Sequence, residues 1–237
     1  MTHQTDREDL AAALRFTARL GLHEGIANHY SLASEDGKRF LINPYGQHWS
    51  QMRASDLLDL AADSDGAGDD RIDPTAVAIH GAIHRSVPHA RCIMHLHSKY
   101  ATVLACLKDP TLPAIDQNTM RFFNRVAVDD GFDGMGLGDE AERLARGLGD
   151  RSIMLMGQHG ILVAGPTVAR CFDDIYYFER AAETYITALS TGRDLNIASD
   201  VVAEKTARQW ESYPGFADRH FAAIRAILNA EEPEYTS

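Results

Sequence analysis

The stretch Cys92-Ile93-Met94-His95-Leu96-His97-Ser98 opens as an apolar run and closes on two histidines separated by one residue. Read as a buried strand, its period of two places both imidazoles on one face, the arrangement two ligands of a single metal ion require. A polar strand end facing solvent would show the same spacing, so the pattern needs a third member. It comes from Gly157-Gln158-His159-Gly160, which lies between the apolar runs Ile153 to Met156 and Ile161 to Ala164. Two strands joined by a tight loop fit that segment, and a ring at the loop's tip can turn back over the sheet. Three neutral imidazoles suit zinc, manganese, iron or cobalt.

Outward from these segments, helices and hairpins interleave. Thr5 and Glu8 have capping-box spacing, and Leu10, Ala13, Leu14 and Thr17 then keep a helical period up to a stop at Gly21. Tyr30 to Ala33 and Arg39 to Ile42 read as two antiparallel strands, because Asp36-Gly37 lies in the connection. The glycine- and aspartate-rich stretch from Asp63 to Asp73 has little to bury and reads as an exposed loop within the domain. Pro74 starts a helix capped by Asp73, with Ala76, Ile79, Ala82 and Ile83 on its apolar side, and Pro88 closes it. Helices are expected from Ser98 to Leu107 and Asp139 to Leu148, and a short strand from Val126 to Val128. The longest helix runs from Thr167 to Leu189 between Pro166 and Gly192. The sum is an α/β or α+β sandwich, helices covering a mainly antiparallel sheet.

With 237 residues, 45% of them apolar, the chain can bury one sizeable core, and residues 1–237 are expected to form a single domain. A net charge of −11, spread from Glu8 to Glu234, argues against nucleic acid or an anionic membrane as main partner, while a small anion remains admissible in a local pocket. Cys92, Cys106 and Cys171 are an odd number without redox or zinc-type spacing and read as buried thiols. The N-terminus has no signal-peptide pattern and no run approaches a membrane span, so the cytoplasm is the expected compartment.

The H-x-H at a strand end, followed by a G-x-H-G hairpin and a long helix, resembles the class II aldolase/adducin family. ANHYS (27–31), FLINPYG (40–46), IHGAIHRSVPHARCIMHLHS (79–98) and PTVARCFDDIYYFER (166–180) extend the likeness from about residue 8 to about residue 190. The resemblance implies an α/β/α sandwich on a mainly antiparallel sheet, metal ligation by His95, His97 and His159, and a homotetramer with sites between neighbouring subunits. Zinc is the first expectation for the ion, with manganese and iron as alternatives.

One departure bears on chemistry. The sugar-phosphate aldolases of the family carry a metal-binding, proton-transferring glutamate where this chain has Ala76. Glu24, in a glycine-containing loop beside a family ligand-binding stretch, is the candidate substitute, and a solvated loop carboxylate is the competing reading. The resemblance also points to Asn28, Gly46 and Thr75 as substrate-binding positions, each equally a plausible turn or cap residue. Gln117 stands where aldolases contribute a tyrosine across the subunit boundary, with Arg121 as the nearest cation. His29 can be a structural residue at a strand start or reach the pocket. His80 and His84 have helical metal-ligand spacing but no neighbouring carboxylate, so packing or hydrogen bonding is the expectation. Together these features lead to a metal-dependent lyase that performs retro-aldol cleavage or decarboxylation on a small hydroxy-carbonyl or keto-acid compound. Its rivals are an adducin-like scaffold with a vestigial metal site and another metal-assisted reaction.

Overall fold

The computed structural model describes residues 4–135 and 137–237. Helix α1 (Gln4–Arg19) buries Leu10, Ala13, Leu14 and Thr17, the face its periodicity marks out, and Gly21 turns the chain away at φ +68°. Thr5 lies inside this helix and does not cap it. Strands β1 (His29–Ala33), β2 (Arg39–Ile42) and β3 (Leu58–Ala61) form an antiparallel set. Helix α2 (Pro74–Ser86) starts as expected: Asp73 accepts hydrogen bonds from the backbone N–H groups of Thr75 and Ala76, a cap worth about 1 kcal/mol.

Strand β4 (Cys92–Leu96) leads into α3 (Lys99–Ala105), and α4 (Gln117–Arg121) precedes β5 (Val126–Asp129) and α5 (Asp139–Leu148). The hairpin β6 (Ile153–Met156) and β7 (Gly160–Gly165) then enters α6 (Val168–Ser190), whose N-cap Thr167 accepts from Arg170 N–H. Helices α7 (Asp200–Glu211) and α8 (Phe216–Glu231) close the chain. β3, α4, α7 and α8 go beyond the elements read from sequence. Cys92 and Cys171 are buried as expected, but Cys106 is exposed because it caps the short helix α3 at the protein surface.

The strands form one sheet in the order β3-β2-β1-β4-β7-β6-β5, antiparallel except for the β5–β6 pair. Alternation sorts its two faces. Tyr30, Leu32, Met94, Leu96, Leu155 and Val163 pack in a core shared with α1, α3, α6 and α8, and each fully buried leucine contributes roughly 1.5–3 kcal/mol. Ile93, Met154, Leu162 and Ala164 point the other way, into a smaller core with α2 and α5. His29, Ser31 and His95 occupy odd positions and therefore belong to this second face, beneath α2. Helices on both faces make the α/β/α sandwich.

Candidate metal centre

Antiparallel pairing sets His29 directly opposite His95. His97 lies just beyond the end of β4, and the turn into α3 fixes its position. Glu179 on α6, itself buried, accepts there from Ser98 Oγ (2.7 Å) and from the backbone N–H groups of Tyr100 (2.8 Å) and Ala101 (3.0 Å). These bonds satisfy two of the free donors of α3's first turn and anchor the chain immediately after the second histidine.

The loop bearing His159 is equally constrained. His159 N–H donates to Met156 O at 3.0 Å, Gln158 adopts φ +59°, and Gln158 N–H donates to Ala105 O at 3.2 Å. Gly160 is required by contact: a Cβ there would run into the Leu96 carbonyl oxygen and come within 3.0 Å of His97 Cδ2. The glycine lets β7 lie flush against the H-x-H segment, which delivers His159 to the other two rings.

The three side chains converge. Their ring centroids are 4.8 to 4.9 Å apart, and candidate ligand nitrogens from all three lie within 4.8 Å of one another. His95 donates from Nδ1 to the Ile161 carbonyl (3.0 Å), and His97 Nδ1 bonds a Glu24 carboxylate oxygen (2.5 Å). With an acceptor on each Nδ1, it is Nε2 of each ring that can turn its lone pair to a metal. Those two Nε2 atoms face one another at 3.1 Å, close enough to share a proton or one cation. His159 Nδ1 is buried without a protein partner. Burial pushes the His95 imidazole well below its usual range, and burial followed by the adjacent His97 lowers His159 to about 4. Neutral imidazoles with fixed tautomers are the form that binds a divalent ion, so the residues fit one.

A cavity of about 330 Å³ opens over these rings, lined by Asn28, His29 and Thr75 as well as His95, His97 and His159. Asn28 (φ +84°) accepts from Glu24 N–H through Oδ1 at 2.9 Å, while its Nδ2 is buried without a hydrogen-bond partner. Thr75 Oγ1 donates to Asp73 at 2.7 Å. Gly46 and Gln117 do not line this cavity, and Gln117 borders a separate groove beside Trp210 and Tyr213. Arg121 is spent on Asp173 and Asp174. Ala76 is buried in an apolar cluster and brings no carboxylate.

His80 and His84 serve hydrogen bonding, as expected. Their connection to His29 and Ser31 is not apparent from sequence: His29 Nδ1 lies 2.7 Å from His80 Nε2, and Ser31 Oγ lies 2.5 Å from His80 Nδ1 and 2.7 Å from His84 Nε2. The signal was present as an i, i+2 pair on a strand and an i, i+4 pair on a helix.

A three-histidine centre in an α/β/α sandwich defines the class, and comparison with known proteins gives the family. The class II aldolase and adducin N-terminal domain family matches residues 8–186, and the chain belongs to it. A Caulobacter vibrioides protein named for the class 2 aldolases is 32% identical over 209 residues, spanning 86% of this chain and 80% of its own. Decarboxylase NovR of Streptomyces niveus is 29% identical over 215 residues, covering 86% of this chain and 79% of the relative. The crystal structure of an aldolase II superfamily protein from Pseudomonas syringae superposes with a TM-score of 0.90 at 30% identity, over 99% of this chain and 96% of that one. Among the described residues no helix is long and apolar enough to cross a membrane.

Proposed function

We propose that the chain is a metal-dependent carbon–carbon lyase acting on a small hydroxy-carbonyl or keto-acid compound by retro-aldol cleavage or decarboxylation. The observation that carries this reading is the convergence of His95, His97 and His159, with tautomers set by Ile161 O and Glu24, on the floor of a cavity with an unpartnered amide donor. A bound divalent ion, zinc first and manganese or iron as alternatives, would supply Lewis acidity toward adjacent substrate oxygens. Asn28 Nδ2 donates to a substrate carbonyl or carboxylate oxygen, and Thr75 borders the same space. Glu24 acts through His97 by holding its Nδ1 proton. The decarboxylase among the relatives supports the second reaction, which needs no base to begin.

Gln117 enters a site only across a subunit boundary, so its substrate role goes with the proposed homotetramer, whereas Gly46 would act through its backbone N–H although it stands outside the cavity lining. The buried apolar Ala76 favours the alternative of an adducin-like binding protein. Metal analysis of protein purified without added metal, followed by assays of short ketose phosphates, hydroxy acids and keto acids, tests the proposal. One ion per chain, lost in His97→Ala, with turnover of one substrate class is the expected outcome. Stoichiometric metal in a His95/His97 double alanine variant overturns the ligand set, and metal without turnover across the panel supports the binding protein.

A further inference from the structure

A hydrogen-bonded chain runs from the cavity into the layer between β1 and α2, and its far end fixes its direction. The Ala90 carbonyl can only accept, so His84, 2.8 Å away through Nδ1, carries its proton there. A neutral His84 then has a bare Nε2, which must receive the Ser31 hydroxyl proton. With that proton spent, Ser31 Oγ accepts from His80 Nδ1–H. His80, fully buried and so held neutral, is left with a bare Nε2 that accepts from His29 Nδ1–H. One backbone carbonyl thus sets three imidazole tautomers in series. The last nitrogen, His29 Nε2, is left as a lone pair on a residue that lines the cavity.

We propose that His29 is the proton acceptor of this site, offering Nε2 to a substrate hydroxyl, with His80, Ser31 and His84 as positioning residues that keep it in that form. The inference rests on the lyase reading and narrows it to retro-aldol cleavage of a β-hydroxy carbonyl compound, since an acceptor calls for an O–H donor. The hydroxyl proton passes to His29 Nε2, and the O–H pair becomes the new carbonyl bond as the neighbouring carbon–carbon bond breaks. The pair from that bond stays on the other fragment as an enolate, whose carbon takes the proton back, so no further reactant enters. His29 stands opposite His95 in the β1–β4 register, which places the acceptor beside the candidate metal ligands.

The test is nitrogen NMR of the zinc-loaded protein carrying labelled histidine. His29, His80 and His84 are expected as neutral rings with the proton on Nδ1, and Ser31→Ala is expected to give His80 and His29 mixed tautomers at unchanged zinc content. A wild-type His29 that is cationic or protonated on Nε2 at neutral pH overturns the proposal. Failure to bind zinc, with the tautomers intact, would instead strike the metal reading. On the β-hydroxy carbonyl compound turned over fastest, His29→Gln is expected to lower kcat about 10²-fold or more with little change in KM. An unchanged kcat in that variant overturns the acceptor role.

Discussion

Glu24 Oε2 lies 2.5 Å from Nδ1 of His97, so the carboxylate singled out as a substitute base is engaged with a candidate metal ligand. Its side chain is 64% exposed, which leaves little folding stability at stake. Glu24→Gln can still accept a hydrogen bond but removes the charge that makes His97 a stronger donor to a metal. Metal affinity is expected to fall about 10- to 100-fold while urea unfolding of the metal-free protein stays where it was. Competition against a chelator of known affinity measures it, and unaltered affinity would mean that the carboxylate does not act through His97.

Below neutral pH the buried histidines should weaken the fold. Burial pushes His84 down to about 4 from an ordinary 6.5, and burial lowers His80 as well. Above about 6.5 both rings are neutral folded or unfolded, and their neutral burial carries no penalty. As pH falls from there toward 4, the unfolded chain binds protons that the folded chain refuses, so stability drops by up to about 1.4 kcal/mol per unit for each ring. Urea midpoints for wild type and His84→Gln, measured at steps from pH 7.5 to 5, should show the shallower slope in the variant. Parallel slopes would assign the acid sensitivity elsewhere.

Gly160→Ala tests the packing that brings the hairpin to the H-x-H segment. Its Cβ meets a carbonyl oxygen on one side and the His97 ring on the other, neither of which can retreat without moving β4 or the site. Overpacking of this kind costs about 1–3 kcal/mol. Thermal unfolding should register the loss, and metal affinity should fall with it because His97 and His159 are pushed apart. A variant with normal affinity and a lowered melting temperature would show that β7 yields and the site does not.

The three histidines of the candidate centre were legible because each sits where a local rule applies: His95 and His97 two apart at a strand end, His159 in a turn between apolar runs. The helix cap at Asp73 was legible for the same reason. The tight loop between apolar runs offered His159 as the third member, and family likeness joined it to the other pair. Partnerships between elements distant in sequence were not legible, since nothing local in Ser31 or Glu179 announces that it will meet α2 or the start of α3. The C-terminal helices lie beyond the stop at Gly192 and went unread, although Phe221, Ile224 and Leu228 on α8 keep a helical period and are buried against the rest of the fold. Gln117 looks unremarkable within one chain, and a role for it depends on a neighbour.

Arg121 should prove the most costly buried cation to remove. Its Nη2 bridges Asp173 (2.6 Å) and Asp174 (2.7 Å), all three side chains are at most 5% exposed, and its guanidinium lies over the rings of Tyr177 and Trp210 at 4.9 and 5.2 Å. Burial alone would raise the Asp173 carboxyl, but the His220 hydrogen bond and the Arg121 charge hold it below the usual carboxylate range. Arg121→Met preserves apolar volume while leaving two buried carboxylates that keep Arg170 and His220 beside them. A loss of about 3–5 kcal/mol is expected in urea unfolding. Asp173→Asn in the same background should restore part of it, because one carboxylate then faces Arg170 alone. The double variant should therefore be more stable than the sum of the single losses predicts by about 0.5–3 kcal/mol. Strict additivity would mean that the two side chains are not coupled and that Arg121 acts chiefly by packing against Tyr177 and Trp210.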